Sequence, residues 1–323
     1  MKKNLLIGGM AVIMAISVLT GCGSSTEKGE VEVAKIEGIS DDFITGVDIS
    51  SYVAEKESGV KFYDFDGKEL NDPGFFKLLK DGGVNYVRVR VWNDPTDGEG
   101  HTYGGGNCDL SVAKKIGKYA TDAGMKVLLD FHYSDFWADP GKQTAPKAWQ
   151  GMTNDEKADA LYEFTKASIQ ECLDEGIDVG MVQVGNETTN GICGAKDSYK
   201  MMTDLFSAGS KAVREAAKDN DKDILVAIHY TDPQHEKYDD YADYLMRYEV
   251  DYDVFASSYY PYWHGTLENL TKQLKNIADK YDKKVMVAET SYAYTLTDFD
   301  GSGNTESITK VNDEFNYDIS SQG

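Results

Sequence analysis

The sequence predicts an α/β chain that closes into a (β/α)8 TIM barrel, and three observations carry that fold class. From residue 43 onward, short β-branched runs alternate with amphipathic segments, the pattern of parallel βαβ units. No Gly-rich fingerprint follows Asp48, and Gly104-Gly105-Gly106 follows no run directly, which argues against an open dinucleotide-binding sheet. The runs end in Asp48, Arg90-Val91-Trp92-Asn93, Asp130-Phe131-His132, Asn186-Glu187, His229-Tyr230, Tyr259-Tyr260 and Glu289. Polar and aromatic tips at the C-terminal ends of strands are where a barrel builds its site.

The elements follow in chain order. Lys2 and Lys3 precede an apolar run over 5–19, too short for a comfortable permanent span, so residues 1–22 read as a secretory signal. It ends in Leu19-Thr20-Gly21-Cys22, which resembles a bacterial lipobox and makes Cys22 the expected lipidation site. Residues 23–40 are polar and read as a tether, leaving 41–323 for the barrel and placing it at the outer face of the membrane. Candidate strands are 43–48, 86–92, 126–132, 180–187, 224–230, 252–259 and 285–289. Two helices between them carry apolar stripes, Met201, Leu205, Ala208 and Ala212 in one, Leu267, Leu270, Leu274 and Ile277 in the other. In the second strand Tyr86, Arg88, Arg90 and Trp92 share one face and Val87, Val89 and Val91 the other. The valines suit the surrounding helices, which puts the arginines inside, where Asp48 and Glu289 are expected to pair with them.

Composition narrows the function. The 323 residues are 41% hydrophobic, enough for a sizeable core, and exclude general disorder and a multi-span membrane protein. A formal charge of −22 repels phosphates and excludes a nucleic-acid partner. Of the cysteines beyond Cys22, Cys172 falls on an apolar helix face with Ile169 and Leu173 and reads as buried. Cys108 and Cys193 lie in Gly-rich loops, where an exported chain either bridges them or leaves them free. Glu187 and Glu289 each end an otherwise apolar run, a place with no use for an acid in a core. Two such carboxylates flanking one bond are what glycoside hydrolysis needs.

At these residues the chain resembles the arabinogalactan endo-β-1,4-galactanases of glycoside hydrolase family 53. The matching stretches are GVDISS (46–51), VRVRVWNDP (87–95), DFHYSDFWADPGKQ (130–143), PKAW (146–149), GMVQVGNET (180–188), FASSYYPYWHGTL (255–267) and KKVMVAETSYAYT (283–295). The resemblance implies a retaining mechanism on β-1,4-galactan, with Glu187 as acid/base, Glu289 as nucleophile and Asn186 on the sugar 2-hydroxyl. It implies that Arg90 holds Glu289 ionised, because an adjacent cation favours the charged form. Glu187 must stay protonated at rest, in a less cationic or less solvated setting. Asp48, Trp92, His132, Trp137, Asp139, His229, Tyr259 and Trp263 are expected to line the substrate groove.

Asp298, Asp300, Ser302 and Asn304 alternate around glycines like part of a calcium loop. Bacterial-type members of the family bind Ca2+ with an Asp-x-Asp-x-His-x-Asn loop after strand seven, and here Ser302 stands where that pattern has His. The resemblance thus implies a structural Ca2+ and no organic cofactor. In the polar stretch of 290–323 no strong helix or strand signal appears, so the barrel is expected to lack strand eight. The expected whole is a monomeric, lipid-anchored extracellular galactanase. The alternatives are a retaining β-1,4-glycanase on a mannan-type glycan and a surface glycan-binding lipoprotein without turnover.

Overall fold

A computed structural model describes residues 37–40, 42–196, 198–292 and 297. The chain divides into Met1–Phe43 and Ile44–Gly323, and all named elements belong to the second unit. Cys22 and the loop residues Asp298, Asp300, Ser302 and Asn304 lie outside the described residues, as does nearly all of the chain after Tyr292.

Among the described residues seven strands form one sheet: β1 (Gly46–Asp48), β2 (Tyr86–Val91), β3 (Lys126–Phe131), β4 (Val179–Val184), β5 (Leu225–Tyr230), β6 (Val254–Ser258) and β7 (Lys284–Glu289). Every neighbouring pair is parallel, and spatial order equals sequence order. Helices α1 (Tyr52–Glu57), α2 (Asp72–Asp81), α3 (Leu110–Asp122), α4 (Asn154–Asp174), α5 (Tyr199–Asp219), α6 (Tyr238–Arg247) and α7 (Leu267–Tyr281) connect them. Side-chain caps mark several helix starts, Asn71, Asp109, Ser198 and Thr266 each accepting a backbone N–H, and Thr153 with Glu156 closing a capping box.

The sheet sorts its two faces as its alternation dictates. Val87, Val89 and Val91 join a helix-side core with Phe76, Ile116, Leu129, Val182, Val226 and Phe255. A separate inner layer is built from Leu128, Met181, Ala227 and Val254, flanked by Ile44, Tyr86, Leu225 and Met286. Arg88 and Arg90 sit on that inner face, each 7% exposed. Gly180 has no side chain where the Tyr86 hydroxyl lies, so a Cβ there would clash. Between β1 and β7 a cavity of about 90 Å³ is lined by Val47, Tyr86, Leu128 and Met286.

Several expectations are corrected. Strand one starts at Gly46, where its register against Tyr86 begins, not at residue 43. Strand four stops at Val184, because Gly185 at φ +90° and Glu187 at φ +45° leave the extended region. In α5 the buried stripe is Met202, Leu205, Phe206, Gly209, Ala212 and Val213, while Met201 is exposed and Ala208 half-buried. Gly209 decides that face, since a Cβ there would lie 2.5 Å from Val184. In α7 Leu270, Leu274 and Ile277 are buried but Leu267, at the first turn, is half exposed. Cys108, Cys172 and Cys193 are all buried and free, so the bridged alternative for Cys108 and Cys193 does not hold. Burial pushes the Cys172 and Cys193 thiols up to about 12, which leaves them inert packing groups.

Candidate active site

The site grows from one buried cation. Arg88 on β2 points along the inner face towards the C-terminal ends of the strands. Its Nη1 meets Asp48 Oδ2 of β1 at 2.9 Å, and its Nη2 meets Asp130 Oδ2 of β3 and Glu289 Oε1 of β7, each at 2.8 Å. It also donates to Asn186 Oδ1 (2.8 Å) and, more weakly, to Gln183 Oε1 (3.3 Å). Asp48 and Glu289 close on one guanidinium from the two outer strands, so the sheet is curled into a barrel. Burial alone would push the guanidinium towards neutrality, but Asp130, Glu289 and Asp48 more than offset it and hold Arg88 firmly charged. Burial likewise pushes the Asp130 carboxyl up, and Arg88 and His132 reverse that, holding it below its ordinary value.

The expected partnership of Arg90 with Glu289 is therefore wrong. Arg88, one turn of the pleat deeper, reaches Glu289, while Arg90 lies 3.9 Å from the Trp137 ring centre and 5.0 Å from that of Trp92. Arg90 also donates to the Gly105 carbonyl at 2.9 Å. Gly106 permits this approach, since a Cβ there would lie 2.9 Å from the Arg90 fork. Arg90 thus stiffens the indole of Trp137 by cation–π contact.

Glu187 stands three residues past β4 in a left-handed conformation, which commits backbone strain to its placement. Its Oε1 accepts the Ser258 hydroxyl at 2.7 Å, and its N–H donates to His229 Nδ1 at 3.2 Å. Burial first, then the neighbouring charge of Glu289, pushes its carboxyl up to about 8. Glu289 is treated differently: Arg88 holds one oxygen, and the Tyr260 hydroxyl donates to the other at 3.0 Å. Beside Asn186 the two carboxylates thus occupy opposite environments, Glu187 accepting from a neutral hydroxyl and Glu289 clamped by Arg88. Asn186 itself is buried, its Nδ2 donating to the Ala138 carbonyl at 2.9 Å and its Oδ1 held by Arg88.

The expected groove residues divide. Trp137 and Trp263 are exposed, at 39% and 45%. Trp263 sits beside Tyr260 and His264 on the β7 side, with Trp137 above Arg90 on the β2 side. Trp92, His132, His229 and Tyr259 are buried instead, a correction to their expected place on the ligand surface. Trp92 packs edge-on beneath Trp137. His132 bonds Asp130 at 3.0 Å and receives the Ala138 N–H, and the Tyr259 hydroxyl donates to the Gly265 carbonyl. Asp139 is half-buried and accepts the Gly141 N–H at 2.8 Å, so one of its oxygens serves a tight turn. Sequence reasoning places Asp130 and Tyr260 among the strand-end tips without giving them a role, and misses Gln183 and Ser258 altogether. Parity offered a signal for Asp130 and Gln183, because Arg90, Asp130 and Gln183 are aligned across β2, β3 and β4. Among the described residues no cluster of three or more His, Cys, Asp or Glu side chains is placed to hold a metal ion.

Comparison with known proteins bears on this geometry. The sequence profile described as Glycosyl hydrolase family 53 matches residues 44–323. The chain is 51% identical over 323 residues to an endo-beta-1,4-galactanase of Bacillus subtilis (strain 168), covering 97% of this chain and 73% of that protein. It is 35% identical over 324 residues to an arabinogalactan endo-beta-1,4-galactanase of Cellvibrio japonicus (strain Ueda107), covering 98% and 79%. Among solved structures, an Ignisphaera aggregans GH53 catalytic domain superposes with a TM-score of 0.78 at 39% identity, covering 86% of this chain and 78% of that one.

Proposed function

The chain belongs to glycosyl hydrolase family 53 and is a glycosidase, and from that premise we propose that it cleaves β-1,4-galactosidic bonds within galactan and arabinogalactan by a retaining mechanism. The observation that carries the mechanism is the opposed settings of Glu187 and Glu289 across one barrel mouth. Glu289 attacks the anomeric carbon as its bond to the leaving oxygen breaks, and the proton of Glu187 passes to that oxygen. The ionised Glu187 then takes a proton from water, whose oxygen attacks the same carbon and releases Glu289. Trp137 and Trp263 offer flat faces to the apolar sides of sugar rings on either side of the cleaved bond. The activity of the similar galactanases selects galactan over mannan. Reducing ends should appear when the protein meets β-1,4-galactan and not β-1,4-mannan. Preferential release from mannan would overturn the substrate, and no release from any β-1,4-glycan would leave a binding protein.

The amino-terminal pattern supports secretion followed by lipidation at Cys22 and a tether over 23–40. No helix among the described residues is long and apolar enough to cross a membrane. A Cys22→Ser protein should leave the membrane fraction of an expressing bacterium, and unchanged partitioning would reject the anchor. The donor set Asp298, Asp300, Ser302 and Asn304 is all oxygen, which suits a hard cation such as Ca2+. Bound there, the ion would tether the acidic loop that follows Glu289. Chelation should then lower the melting temperature and added Ca2+ restore it, since a ligand of the native state stabilises it by mass action. An unchanged melting curve in chelator would remove the site.

A further inference from the structure

We propose that His229 and Ser258 are positioning residues that fix which oxygen of Glu187 carries the transferable proton. His229 stands as its Nε2–H tautomer and donates to Ser258 Oγ, the Ser258 hydroxyl donates to Glu187 Oε1, and the proton of Glu187 is thereby directed to Oε2. This rests on Glu187 being the acid/base.

Both ends of the chain point the same way. At one end, the Glu187 backbone N–H can only donate, and it meets His229 Nδ1 at 3.2 Å. The Gln183 amide nitrogen also faces Nδ1, at 3.1 Å. Both of its hydrogens are taken elsewhere, by Asp130 Oδ1 and the Gly185 carbonyl, so it brings no donor to Nδ1. The donor that decides Nδ1 is therefore the Glu187 backbone N–H. Asn186 Oδ1, which accepts from Arg88, lies 3.0 Å from the same nitrogen, but a proton on Nδ1 directed at it would leave the Glu187 N–H without its acceptor. Nδ1 is the acceptor, and a neutral ring then carries its proton on Nε2. At the other end, Nε2 lies 2.9 Å from Ser258 Oγ, and Ser258 lies 2.7 Å from Glu187 Oε1. A serine that receives from the imidazole keeps its own O–H for the carboxyl. His229 stays neutral because burial, then the charge of Arg88, hold its pKa down to about 3.

The consequence is directional. The carbonyl oxygen of a carboxylic acid is a better acceptor than its hydroxyl oxygen, so the bond from Ser258 favours the carbonyl at Oε1 and leaves Oε2 to present the proton to the leaving oxygen. When the proton leaves, the new negative charge is met at once by the Ser258 O–H, and no proton moves along the chain. A hydrogen bond to the charged form favours it, so Ser258 also restrains the rise in the pKa of Glu187. The other charged and titratable groups facing Glu187 are Glu289 on β7, Arg88 on β2, Asp232 after β5, Tyr238 on α6 and Tyr260 after β6.

The test uses the whole protein labelled with 15N-histidine, which has five histidines to assign. The His229 ring should show an unprotonated Nδ1 and a protonated Nε2. Ser258→Ala should lower kcat on galactan roughly tenfold with little change in KM, the scale of one hydrogen bond to a charged group. It should also move the basic limb of kcat/KM upward by about one pH unit, because the ionised form of Glu187 loses a donor. Ser258→Thr, which keeps the hydroxyl, should restore both. An Nδ1–H tautomer, or a basic limb that stays put or moves down in Ser258→Ala, would overturn the proposal. Equal losses for Glu187→Ala on galactan and on an activated aryl galactobioside would remove the acid/base reading itself and the positioning role with it. A reversed tautomer with a normal Glu187→Ala pattern would remove only the chain.

Discussion

Alanine at Glu289 is expected to abolish turnover of galactan and of activated aryl galactobiosides alike, by at least about 10⁴-fold. Glu187→Ala should behave differently. On galactan, whose leaving group is a sugar hydroxyl, the loss should be about 10²–10⁴-fold, the usual contribution of a positioned acid. On a substrate whose leaving group departs unaided, the first step should survive and the second, which needs the base, should limit turnover. Azide separates the two roles further. In Glu187→Ala it can replace water and yield a β-azide, whereas in Glu289→Ala it can occupy the vacated nucleophile space and yield an α-azide. Identical product configurations from the two variants would sink the assignment. In the unsubstituted enzyme, galactan cleavage should fall as pH rises through about 8, where Glu187 gives up the proton the first step requires.

Much of this arrangement was readable from residue type and alternation. The valine face of β2 fixed the inward side of the sheet, and from it followed the buried arginines and the carboxylates that answer them. Which arginine answers which carboxylate was not readable. Arg88 and Arg90 have the same parity and differ by one pleat, and the choice depends on how far a guanidinium extends along the barrel axis. The same limit explains His229, Trp92 and Tyr259. A polar or aromatic residue at a strand end was correctly placed near the site, but sequence does not say whether its ring faces the ligand or supports a neighbour that does. Glu187 shows the other gap. It was read as the last residue of a strand, whereas the backbone turns at Gly185 and presents the acid from a left-handed residue. Only a tertiary bond, such as that from its N–H to His229, accounts for that choice.

Replacing Arg88 by methionine should damage stability and catalysis together, and pH should separate the two effects. Arg88 is 7% exposed and faces three carboxylates, of which Asp130 is wholly buried. Removing one partner of a buried ion pair costs about 3–5 kcal/mol, because the other charge is stranded. For a domain of this size that is a fall in melting temperature of about 6–20 °C. Glu289 would also lose the cation on Oε1, with a loss in kcat of about 10²-fold or more, the effect of removing one preorganised electrostatic partner. The sign with pH follows from Asp130. Its folded pKa is depressed, so it stabilises the protein above the unfolded value of 3.8, and that contribution is lost as pH falls through the folded value. Without Arg88 the main depressing influence is gone and burial, which acts upward, prevails. Asp130 would then be charged unfavourably at neutral pH and relieved by protonation in mild acid. The gap in melting temperature between the two proteins should therefore narrow as pH falls from 7 towards 4. Arg88→Lys should lie between them, because one ammonium keeps the charge but cannot span Asp48, Asp130, Asn186 and Glu289 at once. A gap that widens in acid, or an Arg88→Met protein that melts like the parent, would mean that Arg88 is not the cation around which the site is built.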